Sequence, residues 1–224
     1  MNPAGSTEGL RFAVRQFASG VAVLTVAHGG RVQGTTVSAM TAVSRQPLLI
    51  GACLRPESVF MRLVGDRRRF AVNVLTARQA QLAGWFADPE RPSGPAQFGC
   101  VDWEPDPFSG APLISGSLAR LGCRLTASIP VGDHHLLLAE VVSGSTEEGS
   151  PLLSFAGRLH DGLLRRLPPG PAHPAAPPRD AASGVVASSS AAVPSRDAAP
   201  AVRDVRKAVA VGPATPSTTG RGVQ

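Results

Sequence analysis

The stretch Gly34-Thr35-Thr36-Val37-Ser38-Ala39 puts small and hydroxyl-bearing side chains between two apolar segments. Side chains this short let the backbone approach a flat polar ligand, and the hydroxyls and N–H groups can hydrogen-bond its phosphate or ring edge. Taken alone, the stretch reads equally as a solvent-facing sheet edge, which suits Thr. Asn73, inside the run Phe70 to Leu75, is a poor strand former. It has either a ligand-binding duty or a satisfied structural amide. Cys53 reads as a small buried hydrophobe whose backbone can still touch a ligand. His134 and His135 point to opposite faces if extended, so they do not suit one shared metal ion.

Several common chemistries are absent. There is no G-x-G-x-x-G after a strand, no phosphate loop ending in Gly-Lys-Ser/Thr, no G-x-S-x-G elbow and no H-E-x-x-H. The one lysine, Lys207, lies far from the candidate residues, which excludes Schiff-base catalysis among them. Cys53, Cys100 and Cys123 are odd in number and lack C-x-x-C spacing, so neither a disulfide framework nor a zinc site is expected. No metal is expected. Hydride transfer between two bound cofactors needs none of the missing groups, because the cofactors carry the chemistry and the protein supplies orientation and dipoles.

Composition divides the 224 residues in two. Ten of the 21 prolines follow residue 165, in a stretch with no aromatic side chain. Ala, Pro, Ser and Val dominate it, so it buries too little apolar surface to offset the entropy of ordering. A disordered tail over 166–224 is the expectation, after one domain over 1–165. The first part carries 15 Arg against 13 acids, and the second carries 6 Arg and Lys207 against 3 acids. The sequence pI of about 10.8 therefore overstates the basicity of the domain. Its one basic cluster, Arg67-Arg68-Arg69, reads as a solvated turn, and no nucleic-acid partner is expected. No secretory leader pattern opens the sequence and no run is apolar enough to span a bilayer, so no membrane association and a cytoplasmic location are expected.

The elements that must hold these residues follow from periodicity. Ser6 or Thr7 caps a helix carrying Leu10, Val14 and Phe17, ended by Gly20. Val21 to Ala27 and Val32 to Ala39 flank the turn His28-Gly29-Gly30 and read as a hairpin. Pro47 to Leu54 reads as a strand buried on both faces, Glu57 to Gly65 as a short helix after Pro56, and Ala77 to Ala87 as a helix. Five prolines in 88–111 mark a long excursion with little regular structure. Phe70 to Leu75, Leu113 to Ile129, Leu136 to Ser143 and Leu152 to Ala156 supply further strands. Strands joined mostly by short turns predict a mainly β fold, an antiparallel barrel with a few helices.

The order of segments from about Leu10 to Arg158 resembles the flavin reductase family of FMN-binding split barrels. The likeness rests on Phe17 to Thr25, Gly34 to Ala39, Val43-Ser44 before Pro47-Leu48, Cys53 with Ser58, Phe70 to Leu75, Gln79, Leu82-Ala83, Phe86-Ala87, Leu118-Ala119, Leu121, Cys123, Gly132-Asp133-His134, Pro151 to Leu153 and Gly157-Arg158. The resemblance implies an antiparallel split β-barrel of FMN-binding type, forming a homodimer with flavin in a cleft near the subunit boundary. It places Thr35, Thr36, Val37, Ser38 and Ala39 along the ring and ribityl chain. Cys53, Leu54, Arg55 and Ser58 fall near the ribityl and phosphate, with Ala71 and Asn73 opposite. Arg55 and Arg158 become phosphate or dinucleotide contacts, since guanidinium binds such oxygens bidentately. His134 falls on the nicotinamide side as the catalytic candidate. Where similar proteins often carry a Tyr near the C-terminal strand, this chain has Phe155 and no Tyr anywhere.

The activity so implied is NADH- or NADPH-dependent reduction of FMN or FAD, with a flavin-dependent monooxygenase as the recipient of reduced flavin. Two other classes stay open on sequence: a split-barrel oxidase or oxygenase that holds flavin tightly, and a flavin-binding module without turnover.

Overall fold

The computed structural model describes residues 6–165, and the expected tail over 166–224 lies outside them. The chain opens with helix α1 (Thr7–Val14), capped by the Ser6 hydroxyl accepting from the Gly9 N–H. Strands β1 (Ser19–Gly20), β2 (Ala22–His28), β3 (Arg31–Val37), β4 (Met40–Arg45) and β5 (Leu48–Leu54) follow. The expected hairpin joins β2 to β3 through Gly29 and Gly30, both at positive φ, which glycine adopts without penalty.

Helix α2 (Val59–Arg67), strand β6 (Arg69–Val74) and helix α3 (Ala80–Ala87) come next. Residues 88–111, expected to be largely irregular, hold a 3-10 turn at Gly94–Phe98 and a short strand β7 (Trp103–Pro105), which pairs with β8 (Pro112–Ile114). Two long strands, β9 (Ala119–Val131) and β10 (His134–Thr146), then form a hairpin, and β11 (Leu152–Phe155) pairs with β12 (Arg158–Asp161). The strand expected over Leu113 to Ile129 is thus two elements, β8 and β9, because Gly116 turns the chain at positive φ between them.

Seven strands form one antiparallel sheet in the order β3-β2-β6-β9-β10-β5-β4. Its two edge strands, β3 and β4, are consecutive in the chain and meet through Ser38-Ala39, where the Ala39 carbonyl accepts from the Cys53 N–H at 3.0 Å. The sheet therefore curls back on itself with a seam at residues 38–39, the split-barrel expectation. Period-2 alternation divides β2 between two cores. Ala22, Leu24 and Val26 face the barrel interior with Val37, Leu54, Val72, Leu125 and Leu137, plugged by Phe60, Leu63 and Val64 of α2. Val21 and Val23 face the opposite layer, where Phe86 of α3, Phe98, Ile114 and Leu152 cover them.

The strands buried along both faces are therefore β2 and β6, and not the whole of β5. Leu48, at the start of β5, is 48% exposed, and full burial on that strand is confined to Gly51, Ala52 and Leu54. Helix α1 also departs from expectation. It ends at Val14 and buries none of its residues: Leu10, Phe12 and Val14 are exposed, and Phe17 beyond it is 81% exposed. Among the described residues these apolar side chains remain largely uncovered.

Candidate functional site

The seam between β3 and β5 opens into a cleft of about 270 Å³. Its wall is Thr35, Thr36, Val37, Ser38, Ala39, Cys53, Leu54, Arg55, Ser58 and His134. Each wall residue is among the candidates that the sequence put forward. They converge because β3 ends where β5 ends and where the antiparallel partner of β5, strand β10, begins: His135 pairs with Leu54. Ser58 arrives as the N-cap of α2, its hydroxyl accepting from the Met61 N–H at 3.2 Å, which leaves its own proton free for a ligand.

These residues contribute differently. Val37 and Leu54 send their side chains into the barrel core, so they offer the cleft chiefly main chain. The Thr36 hydroxyl donates to the Ala83 carbonyl at 2.7 Å, which fixes β3 against α3 and commits that proton. Thr35 and Ser38 remain half-exposed beside the exposed Arg55. As a sheet edge, β3 also presents N–H and C=O groups that point away from β2.

His134 is half-buried, and its Nδ1 lies 2.8 Å from Asp133 Oδ1. The His134 ring holds the Asp133 carboxyl below the usual carboxylate range, through the hydrogen bond first and its charge second, with Arg55 adding a smaller pull. With an Nδ1 proton donated to Asp133, the His134 Nε2 is the ring atom available to a ligand. His135 turns away, as alternation requires, and its Nδ1 pairs with the Ser128 hydroxyl at 3.0 Å.

Three candidates are not part of the cleft wall, and for two of them, Ala71 and Asn73, the expectation is corrected. Ala71 and Asn73 are fully buried, so no ligand reaches them without displacing the core. The Asn73 amide nitrogen donates to the Val23 and Pro112 carbonyls, each at 3.2 Å, and its oxygen accepts from the Ile114 N–H at 2.7 Å. It is a structural node between β2, β6 and β8. Arg158 starts β12 in the small sheet and is exposed; it is not part of the cleft wall, but its neighbour Gly157 lines the apolar space beside the cleft. Gly34, expected to admit a ligand, instead admits Phe86: a Cβ there would lie 2.5 Å from the ring.

Two further spaces flank the cleft, and the sequence reading missed most of their walls. One, of about 450 Å³, shares Ser38, Ala39 and Cys53 with it and is largely apolar, adding Val14, Phe17, Met40 and Leu136. The other, of about 470 Å³, shares Thr35, Thr36, Arg55 and Ser58 and adds Arg91 and Ser93. Arg91 went unnoticed because it lies in the proline-rich excursion, where no periodic signal marks a side chain as inward. The cleft thus has an apolar side and a cationic side, the division that an amphiphilic ligand with a flat ring and a phosphate requires. Among the described residues no cluster of three metal-ligating side chains occurs, and no helix is long and apolar enough to cross a membrane.

The comparisons with known proteins agree on one family. The model described as a flavin reductase like domain matches residues 14–162. The chain is 48% identical over 153 residues to an NADPH-flavin oxidoreductase of Streptomyces viridifaciens, covering 68% of this chain and 79% of that protein. It is 37% identical over 160 residues to an NADH-dependent FAD reductase of Streptomyces globisporus, covering 71% and 85%. Among solved structures, the flavin reductase component of a bacterial two-component tryptophan halogenase superposes with a TM-score of 0.65 at 29% identity, over 70% of this chain and 98% of that one. A Streptomyces globisporus NADH:FAD oxidoreductase in complex with NAD and FAD fragments gives 0.64 at 32% identity, over 77% and 99%.

Proposed function

The chain belongs to the flavin reductase family, and from that premise we propose that the cleft between residues 35–39 and 53–58 is where its flavin and nicotinamide meet. The protein is an NAD(P)H:flavin oxidoreductase that reduces FMN or FAD and supplies reduced flavin to a monooxygenase. Bound flavin supplies the hydride acceptor at N5 and the reduced nicotinamide supplies the hydride from C4.

The donor set fits a flavin. The apolar flank of Phe17, Met40 and Leu136 suits an isoalloxazine face, while the main chain of 35–39 and the Ser38 hydroxyl suit its polar edge. Arg55, the Ser58 hydroxyl and the first N–H groups of α2 suit a phosphate, since a helix N-terminus and a guanidinium both favour an anion. His134, oriented by Asp133, would hydrogen-bond the nicotinamide side through Nε2 and hold it against the flavin; it is the catalytic candidate of the chain. Ala71 and Asn73 have no part in this reading, and Arg158 is not assigned to it.

A homodimer completes the reading. Leu10, Val14, Phe17, Phe155 and Leu159 are exposed apolar side chains near one another in sequence or strand pairing, and Val14 and Phe17 also line the apolar flank of the cleft. A second copy covering α1 would bury them and close the ring side of the site. Phe155 stands edge-on to His160 at 6.0 Å, so ring contact is kept where a phenol is lacking. A cytoplasmic location accompanies this reading, since both cofactors are metabolites of that compartment.

The observation that carries the proposal is the convergence of ten candidate residues, from the segments 35–39, 53–55, 58 and 134, on one cleft within the family match. The deciding measurement is oxidation of NADH and NADPH, followed optically, with FMN, FAD or riboflavin supplied in turn. Consumption that depends on added or retained flavin is expected. No consumption of either nucleotide with any flavin would overturn the assignment.

A further inference from the structure

Strand β3 is an edge of the main sheet, yet part of its open side is closed by a single side chain. Gln97, on the 3-10 turn Gly94–Phe98, is fully buried. Its Oε1 accepts from the Gly34 N–H at 2.8 Å, and its Nε2 donates to the Val32 carbonyl at 3.2 Å. A paired strand would offer β3 the same acceptor and the same donor. The Gln97 Nε2 also meets Gln33 Oε1 at 3.3 Å and the Gly94 carbonyl at 2.9 Å, so the amide is tied to its own turn and to the strand together. The Gln97 carbonyl accepts from Trp85 Nε1 of α3 at 2.8 Å. Arg91 adds a second tie: its Nη2 donates to the Gly34 carbonyl at 2.6 Å and its Nη1 to the Asp88 carbonyl at 2.5 Å. The excursion after α3 thus grips β3 at Gly34 from two points.

The main-chain groups of an antiparallel strand point to either side in turn, so the outward pair after Gly34 is that of Thr36. Thr36 is in the cleft wall, and Gln97 is not. One edge is therefore shared out: protein side chains occupy it at residues 32–34, and the cleft opens on it from Thr35. We propose that Gln97 is a positioning residue for flavin binding, its amide standing in for a neighbouring strand along 32–34 and so fixing the height and register of the 35–38 main chain against which the flavin lies. The inference rests on the flavin reading of the cleft. A side chain can do this only while both its acceptor and its donor are kept, because the Gly34 N–H and the Val32 carbonyl are buried with it and have opposite needs.

The test compares FMN binding, followed by flavin fluorescence, in the full-length parent, Gln97→Leu, Gln97→Glu and Asn73→Ala. Gln97→Leu should raise the Kd for FMN about fivefold, the loss of roughly one net hydrogen bond at the edge. Its KM for NADPH at saturating FMN should stay within about twofold of the parent, since His134 is held by β10 and not by β3. Asn73→Ala is the control for lost stability alone, being a buried amide that does not touch β3. Gln97→Glu supplies a signature that simple destabilisation lacks. Its protonated acid keeps one acceptor and one donor, whereas its carboxylate keeps acceptors only and repels the Val32 carbonyl. Burial raises the pKa of such an acid, so its Kd relative to the parent should be within about twofold near pH 6 and climb to about fivefold near pH 9. The corresponding ratio for Gln97→Leu should be flat across that range. If Gln97→Leu does not fold, the pH profile of Gln97→Glu decides alone. The proposal is overturned if Gln97→Leu binds FMN within about twofold of the parent, if Asn73→Ala loses as much affinity, or if the Gln97→Glu ratio does not change with pH. Failure of the parent to bind FMN would instead sink the cleft reading, and this proposal with it.

Discussion

Asn73 and the 35–39 edge are both polar interruptions of apolar strands, and they do opposite things. Around Asn73 every polar atom has a partner inside the protein: its amide bridges Val23 and Pro112, its oxygen takes the Ile114 N–H, and Thr25 donates to the same Pro112 carbonyl at 2.6 Å. At the edge, Thr35, Ser38 and Arg55 stand partly exposed around an open cleft. The buried node ties β8 to the barrel, and its chemistry is used up in folding. The open edge keeps donors for something that is not part of the chain. What distinguishes a binding group from a structural one here is the saturation of its hydrogen bonds, not its residue type.

The largest effect should come from breaking the buried node. Asn73→Ala leaves the Ile114 N–H and two carbonyls without their partner in a dry interior, and should cost about 3 kcal/mol in denaturant unfolding. Flavin affinity of the folded fraction should be nearly unchanged. A folded variant of normal stability with poor flavin binding would move Asn73 to the other side of the comparison.

Gly34 tests the boundary between the two regions, since it starts the hydroxyl-rich stretch yet is buried under Phe86. Gly34→Ala should cost about 2 kcal/mol, because a Cβ there meets an aromatic ring that cannot retreat from a filled core. Thermal or chemical unfolding measures it. A neutral result would mean that α3 shifts easily and that the close approach is incidental.

Ser38→Leu should show the reverse pattern. Placed at the seam, a bulky side chain should weaken flavin binding by about tenfold or more, which is about 1.4 kcal/mol. Stability should change by about 0.5 kcal/mol or less, as for a surface substitution. Titration of the folded variant with FMN decides it, and unchanged affinity would remove residues 34–39 from the site.

His134→Ala should leave flavin affinity intact and raise the KM for the nicotinamide by about fivefold, the loss of roughly one hydrogen bond. Asp133→Asn should act in the same direction more weakly, because it removes the charge that orients the ring but keeps an acceptor oxygen. Because the folded Asp133 pKa is depressed, the pair keeps its carboxylate above the ordinary Asp range and loses it only as pH falls through the lower folded value. A shift of flavin affinity with unchanged nicotinamide kinetics would reassign the histidine.

The smallest effect expected is from removing residues 166–224. Both compared regions lie within the family match, so a chain ending at Arg165 should keep its unfolding midpoint and its flavin reduction within experimental error. A marked loss of either would give the C-terminal segment a part in the fold.

Cysteine reactivity sharpens the same contrast at neutral pH. Burial, and the Asp106 carboxylate after it, push the Cys123 thiol up to about 12, so it stays protonated and unreactive in the folded chain. Cys100 is exposed and Cys53 half-buried at the cleft. FMN should slow alkylation of Cys53 and leave that of Cys100 unaffected, as peptide mapping would show.

The sequence by itself determined what depends on near neighbours. An apolar run marked β2, Gly29-Gly30 marked the hairpin, and Ser6 sits where a helix cap belongs. The order of short segments also carried the family, and with it the residues of the cleft wall. Only the tertiary structure decided what depends on distant ones. Asn73 could be sorted from Ser38 only once Pro112 and Ile114 were seen beside it. Gly34 could be sorted from its neighbours only once Phe86 was seen on top of it. Strands β4 and β12 escaped notice because each has an open face in the single chain, and so carries no clear apolar period. Arg91, in a loop without periodicity, became a candidate only when its two carbonyl anchors placed it over the cavity. Periodicity and turn chemistry are fixed by bonds a few residues long. Whether a polar atom is satisfied or left open is fixed by groups up to a hundred residues away, which only folding brings within 3 Å.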